Sequence, residues 1–158
     1  MPVTPSGIQS AAIDSLRDLV AGSATFQSWT GTSTSAAAKE RVYVRAVDGE
    51  GPIGYVAPFA IIVPQSFHVN IVVGAFSGGE LLLYFEGDVS AEYRANHKDA
   101  TYEFTNYCGA IIKEVMAGSY ATLFITDIES TSPPVRADVI EDRDFHGQWF
   151  SITYGPES

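Results

Sequence analysis

The sequence predicts an α+β domain. Its core is a mainly antiparallel sheet of about five or six strands, with one long covering helix (101–117) and an N-terminal helical segment. Three observations lead there. The elements read helix, short helix, four strands, helix, two strands, so strands follow one another directly. Residues 101–117 carry a broad apolar stripe suited to covering a sheet. The remaining apolar segments alternate with the period of a strand. All 158 residues are read as one domain, with N-terminal helices over 5–31 and the sheet with its covering helix over 41–155.

Thr4 and Pro5 open the first helix as cap and first-turn residue. Ile8, Ala12, Leu16, Leu19 and Val20 then fall on one face, and Gly22 stops it. Ser23 caps a short helix through "ATFQSW", ending near Gly31, with Phe26 and Trp29 on one side. The stretch 32–41 is a small-residue connection with room for a helical turn. "RVYVRAV" (41–47) alternates as a strand, and "DGEGPIG" (48–54) is a Gly/Pro/acidic loop.

"YVAPFAIIVPQ" is strand-like, with Pro58 and Pro64 limiting its pairing, and "FHVNIVVGAF" (67–76) reads as a separate strand. Ser77-Gly78-Gly79 is read as the turn of a hairpin into the strand 80–89. A polar excursion follows. In the long helix, Phe104, Tyr107, Cys108, Ile111, Ile112, Val115 and Met116 form the stripe, and Gly118 closes it. A strand over 120–129, a long polar loop over 130–144 and a last strand over 145–154 complete the chain. In that last strand Phe150, Ile152 and Tyr154 share one face, and Trp149 and Thr153 the other.

The strand "LLLYFEGDV" (81–89) poses a problem of cover. Leu81, Leu83 and Phe85 face one apolar layer; Leu82 and Tyr84 face another. One long helix covers one side. The second layer is expected to be either the N-terminal helical segment or a neighbouring subunit, which makes Leu82 and Tyr84 candidates for packing between subunits.

Composition narrows the function. The hydrophobic fraction is 46% and the charged fraction 18%, below the roughly 25% of an average soluble domain, so ample apolar surface is expected. The net charge of −10 opposes a surface that neutralises phosphates. Cys108 is the single cysteine, so no internal disulfide forms and a reducing compartment is expected. "MPVTPSGIQ" lacks the basic-then-apolar pattern of a signal peptide, and no apolar run reaches the ~18 residues of a membrane helix.

No catalytic constellation, cofactor pattern or metal-ligand spacing emerges. His68, His97 and His146 stand far apart, with His146 read as a polar face residue and His97 as a solvated loop residue. Cys108 with His146 and Asp144 has the residue types of a thiol hydrolase, yet Cys108 sits in the apolar stripe of a helix and reads as a small hydrophobe. The carboxylates Glu141, Asp142 and Asp144, and the pair Glu86 and Asp88, read as solvated acidic groups before they read as acid–base pairs.

The order of motifs carries a resemblance. "AIDSLRDLVAGSATFQSWTG" leads to "ERVYVRAV", and a helix, "LFITDIES", a polar loop and "EDRDFHGQWFSITYG" close the chain. This layout resembles the tail-terminator and tail-completion (neck) proteins of long-tailed bacteriophages. The resemblance spans most of the chain and is one of layout, without an invariant motif.

It implies a structural virion protein at the head–tail junction, assembled in the host cytoplasm. Such a protein forms a homo-oligomeric ring, usually a hexamer, that caps the tail tube protein and joins it to the head-side connector protein. DNA passes through without specific binding, and no membrane or cofactor is involved. Glu50, Arg136, Asp138, Glu141, Asp142 and Arg143, in the loops 48–54 and 130–144, become candidate partner-facing or lumen-facing residues. Another neck or head-completion protein of related fold is the near alternative. A small cytoplasmic hydrolase using Cys108 or the acidic loop residues is the distant one.

Overall fold

The computed structural model describes residues 7–45, 56–72, 74–90, 100–118, 124–140 and 143–155. The loop 48–54 with Glu50, most of the excursion 90–100 with His97, and the pair Glu141–Asp142 lie outside these residues. The expected helix start at Thr4–Pro5 is corrected: Gly7 is extended (φ −123°, ψ 168°) and the first helix begins at Ile8, three residues later than a start at Pro5 predicts. The fold is α+β. Four helices, α1 (Ile8–Ala21), α2 (Ala24–Thr30), α3 (Ser35–Lys39) and α4 (Ala100–Ala117), accompany six strands. These are β1 (Val42–Val44), β2 (Phe59–Asn70), β3 (Ala75–Ser90), β4 (Phe124–Ser130), β5 (Val135–Ile140) and β6 (Arg143–Gly155).

They form one six-stranded sheet in the order β1-β2-β3-β6-β4, with β5 also paired to β6. The β1–β2 pair is parallel, and every other pair is antiparallel. The central β3–β6 ladder runs in unbroken register from Gly79↔Tyr154 to Ser90↔Arg143.

Local chemistry places the end of α1 at Gly22 and both ends of α2 as expected. Ser23 Oγ accepts from the Phe26 amide at 3.1 Å and starts α2. Gly31 ends it in the left-handed region at φ 72°. Thr34 caps α3 by accepting from the Ala37 amide. Glu114 of α4 accepts from Ser23 Oγ (2.9 Å) and from the Thr25 amide (3.3 Å), joining α4 to the amino end of α2. Arg17 reaches from α1 to the carbonyls of Val42 (3.1 Å) and Lys39 (3.0 Å), which ties α1 to β1 and α3.

All four helices belong to one side of the sheet. Leu16 and Val20 from α1, Phe26 and Trp29 from α2, Ala38 from α3, and Phe104, Cys108, Ile111 and Val115 from α4 share a buried cluster with Ile62, Leu81, Leu83, Phe85, Phe150 and Ile152. Trp29 is its pivot. Its ring stacks on Tyr107 (5.1 Å, 9°), meets Phe104 edge-on (5.8 Å, 66°) and donates Nε1–H to the Asp88 carbonyl at 3.2 Å.

Several expectations are corrected. The strand read at 55–65 and the first part of the one read at 67–76 are one strand, β2 (Phe59–Asn70), which continues through Pro64, while Ala75 and Phe76 belong to β3. β1 pairs with β2 only at Ala60–Ile62, so no described strand flanks β2 on that side at Pro64, and a register shift between Pro64 and Ser66 absorbs the irregularity. The hairpin turn lies at 71–74, where the Gly74 amide donates to the Asn70 carbonyl at 2.8 Å. Ser77-Gly78-Gly79, read as the turn, is inside β3; Gly78 holds φ 134° at a second irregularity, opposite His68.

The polar loop read at 130–144 holds β5, and β6 begins at Arg143, two residues earlier than expected. His146 is not a polar-face residue: it is buried on the helix side, shares a hydrogen bond with Thr101 Oγ1 (2.9 Å) and stacks on Phe104 (5.7 Å, 29°). Met116 lies outside the core and is exposed.

Candidate assembly surface

With every described helix on one side, the N-terminal helices are not the second layer over Leu82 and Tyr84. That face carries its own smaller apolar cluster. Phe59, Ile61 and Val63 are buried there beneath Tyr43, Ala57, Leu82, Tyr84 and Trp149, all partly buried. Tyr84 sits tilted against Trp149 (4.7 Å, 36°) and Phe59 (6.4 Å, 53°). Its ring lies over Gly147, where any β-carbon would collide with the phenol. Leu82 and Tyr84 therefore both pack onto this layer within the chain, and part of each stays open to solvent.

The Tyr84 hydroxyl donates to Glu86 Oε1 at 2.6 Å. Burial raises its pKa well above the ordinary value near 10, and the Glu86 hydrogen bond and charge add to this, while Arg45 opposes it. Burial also raises the Tyr154 phenol. A folded-state pKa above the unfolded one stabilises fully below about pH 10 and less as pH rises beyond it, because the unfolded chain then releases a proton that the folded chain keeps. Urea titrations from pH 8 to 11 are expected to show stability falling from about pH 9, where the unfolded Cys108 thiol ionises and the buried one does not, and falling further above about pH 10 as the unfolded Tyr84 and Tyr154 phenols ionise. Tyr84→Phe is expected to flatten that fall and to cost about 1 kcal/mol at pH 8 through the lost hydrogen bond.

Beyond the aromatic layer the same face turns acidic. By register Glu80, Thr153 and Asp127 lie side by side across β3, β6 and β4, as do Leu82, Ser151 and Glu129. Ser151 Oγ donates to Glu80 Oε1.

The most exposed apolar feature lies elsewhere. Past Pro64, β2 leaves β1 behind, and below Gly79, β3 leaves β6 behind. Among the described residues the two strands continue alone as a two-stranded arm to the turn between Asn70 and Ala75. Ile71 is 88% exposed, Val72 97% and Phe67 51%. No Asp, Glu, Lys or Arg occurs between Glu50 and Glu80, in a chain of net charge −10. An open cleft of about 500 Å³ lies where the arm meets β6 and β4, lined in part by Ser66, His68, Glu80, Thr126 and Thr153.

An arm of this kind departs from how strand edges are usually protected. Soluble proteins guard a free edge with charge, proline or cover, and a lone two-stranded ribbon is marginal in water. This arm has its proline only at the base and its apolar residues toward the tip. At the other margin of the sheet, β4 pairs only with β6, so its outer edge is open too among the described residues.

The arrangement brings few of the expected site residues together. Leu82 and Tyr84 share the aromatic layer. Arg136 and Asp138 fall on β5 and Arg143 on β6, not on a loop. Glu50, Glu141 and Asp142 lie outside the described residues. Cys108 is buried in the helix-side core, and burial raises its thiol pKa, the opposite of an activated thiolate. No described helix is long and apolar enough to cross a membrane. Comparison with known protein families and with curated protein sequences finds no match.

Proposed function

We propose that this chain is a structural virion protein of a long-tailed bacteriophage. In this reading it is a tail terminator whose copies form a ring, of hexameric order, that caps the tail tube and meets the head-side connector. The single observation that carries it is the exposed, charge-free apolar arm at 64–79, a surface suited to burial against another protein. The order of helices and strands along the chain supports the same reading by resemblance.

The acidic balance then has a use. DNA passing through the ring slides along a wall that repels phosphate, and Glu80, Asp127 and Glu129 are carboxylates the fold gathers on one sheet face. Glu50, Glu141 and Asp142 keep their proposed place as partner-facing or lumen-facing residues. The thiol form of the hydrolase alternative is disfavoured by the burial of Cys108.

Electron microscopy of the purified protein, with antibody labelling of virions, tests the proposal. Closed rings and label confined to the head–tail joint are expected. Label on the capsid face of the connector would move the protein to head completion. No label on virions would overturn a virion role.

A further inference from the structure

We infer that the arm strand of one copy pairs edge-to-edge with β4 of the next copy, joining their sheets. The inference rests on the self-assembly part of the proposed function and not on the phage setting.

Four features select this contact. First, the two edges match in length, 64–70 on β2 and 124–130 on β4, and both are open among the described residues. Second, their directions match. β2, β3, β6 and β4 alternate in direction along the sheet, so β4 runs opposite to β2. A neighbour placed in the same orientation therefore meets β4 with an antiparallel arm, the more stable pairing.

Third, the faces match. By register Phe67 lies on the helix side with Gly79 and Tyr154, where β4 offers the half-buried Ile125 and Ile128. His68 falls on the opposite face, where β4 offers Asp127 and Glu129. Fourth, charge selects the partner. Two β4 edges paired with each other would set carboxylate against carboxylate, which is destabilising. The arm carries no carboxylate, so it approaches an acidic copy without that penalty. Unlike edges in contact make a head-to-tail interface, which closes into a ring when the rotation per subunit permits.

The test uses the full chain. His68→Cys and Asp127→Cys are made separately and mixed, with Cys108 left buried in its core. A short bis-maleimide is expected to link the mixture into covalent dimers, and neither the wild type nor Asp127→Cys alone. In parallel, His68→Glu is expected to raise the concentration needed for assembly about tenfold or more, and Asp127→Lys/Glu129→Lys in the same chain to restore it. His68 is exposed, so the variant is expected to fold, with circular dichroism as the check.

Rings that form without the mixed crosslink, or that ignore the charge swap, overturn this contact and leave the ring reading standing. Efficient linking of His68→Cys with itself points to arm-to-arm dimers and overturns it as well. A wild type that stays monomeric at every concentration overturns the contact outright.

Discussion

Phe85→Ala is expected to destabilise the fold by about 4 kcal/mol, the range for removing a fully buried phenylalanine. Phe85 has no exposed surface and is central to the helix-side core. Its ring meets Phe26 of α2 at 6.3 Å and Phe150 of β6 at 6.0 Å, the latter edge-on at 70°. Truncation therefore removes contacts to a helix and to the neighbouring strand at once. The cavity would lie between rigid layers, where collapse is difficult. Urea denaturation should show a lower midpoint with an unchanged slope. A loss below about 1 kcal/mol would mean that α2 does not seat on β3 in this way.

Gly87→Val should cost about 3 kcal/mol, at the upper end for overpacking. A β-carbon at Gly87 collides with the Trp29 indole and comes within 2.8 Å of the Pro58 ring. Trp29 has little room to retreat, since it is stacked on Tyr107 and bonded to the Asp88 carbonyl. The tryptophan and the glycine are thus one device: the indole fits because β3 has no side chain beneath it. The difference in tryptophan fluorescence between Gly87→Val and the wild type, in which Trp149 is common to both, reports the displacement of Trp29, and an unchanged spectrum with unchanged stability would contradict the packing.

The helices were legible because their signals are local. Ser23 and Gly31 delimit α2 by cap chemistry that needs no tertiary partner. The stripe Phe104, Cys108, Ile111 and Val115 shows its buried face at helical spacing. The alternation of Leu81, Leu83 and Phe85 against Leu82 and Tyr84 also separates two layers, as read.

Sheet boundaries were less legible because strands answer to partners distant in sequence. Pro64 and Gly78 are local stop signals that the β2–β3 ladder overrides through two register shifts. The true turn contains Ile71 and Val72, which carry no turn signal. β5 was hidden because "VRADVI" is brief and stands between prolines and charges.

The arm itself was missed, although its signal was present. The absence of charge from Gly51 to Gly79 is visible in the sequence, and in an acidic chain it marks a segment exempt from the repulsion that keeps copies apart. Whether such a segment is buried or projects outward depends on where β1 and β6 stop pairing, which is a tertiary fact.

The position of β6 has a consequence for the order of events in folding. It is the last strand along the chain, yet β3 pairs with it on one side and β4 and β5 on the other. During synthesis, β3, β4 and β5 emerge before the strand that joins them. Until residues 143–155 are available, the β2–β3 hairpin and the helices have only half a sheet to pack against. Contacts of such long sequence separation slow folding. The residues of the apolar arm are therefore synthesised well before the strand that completes the sheet, and β6 sets when the full sheet can form.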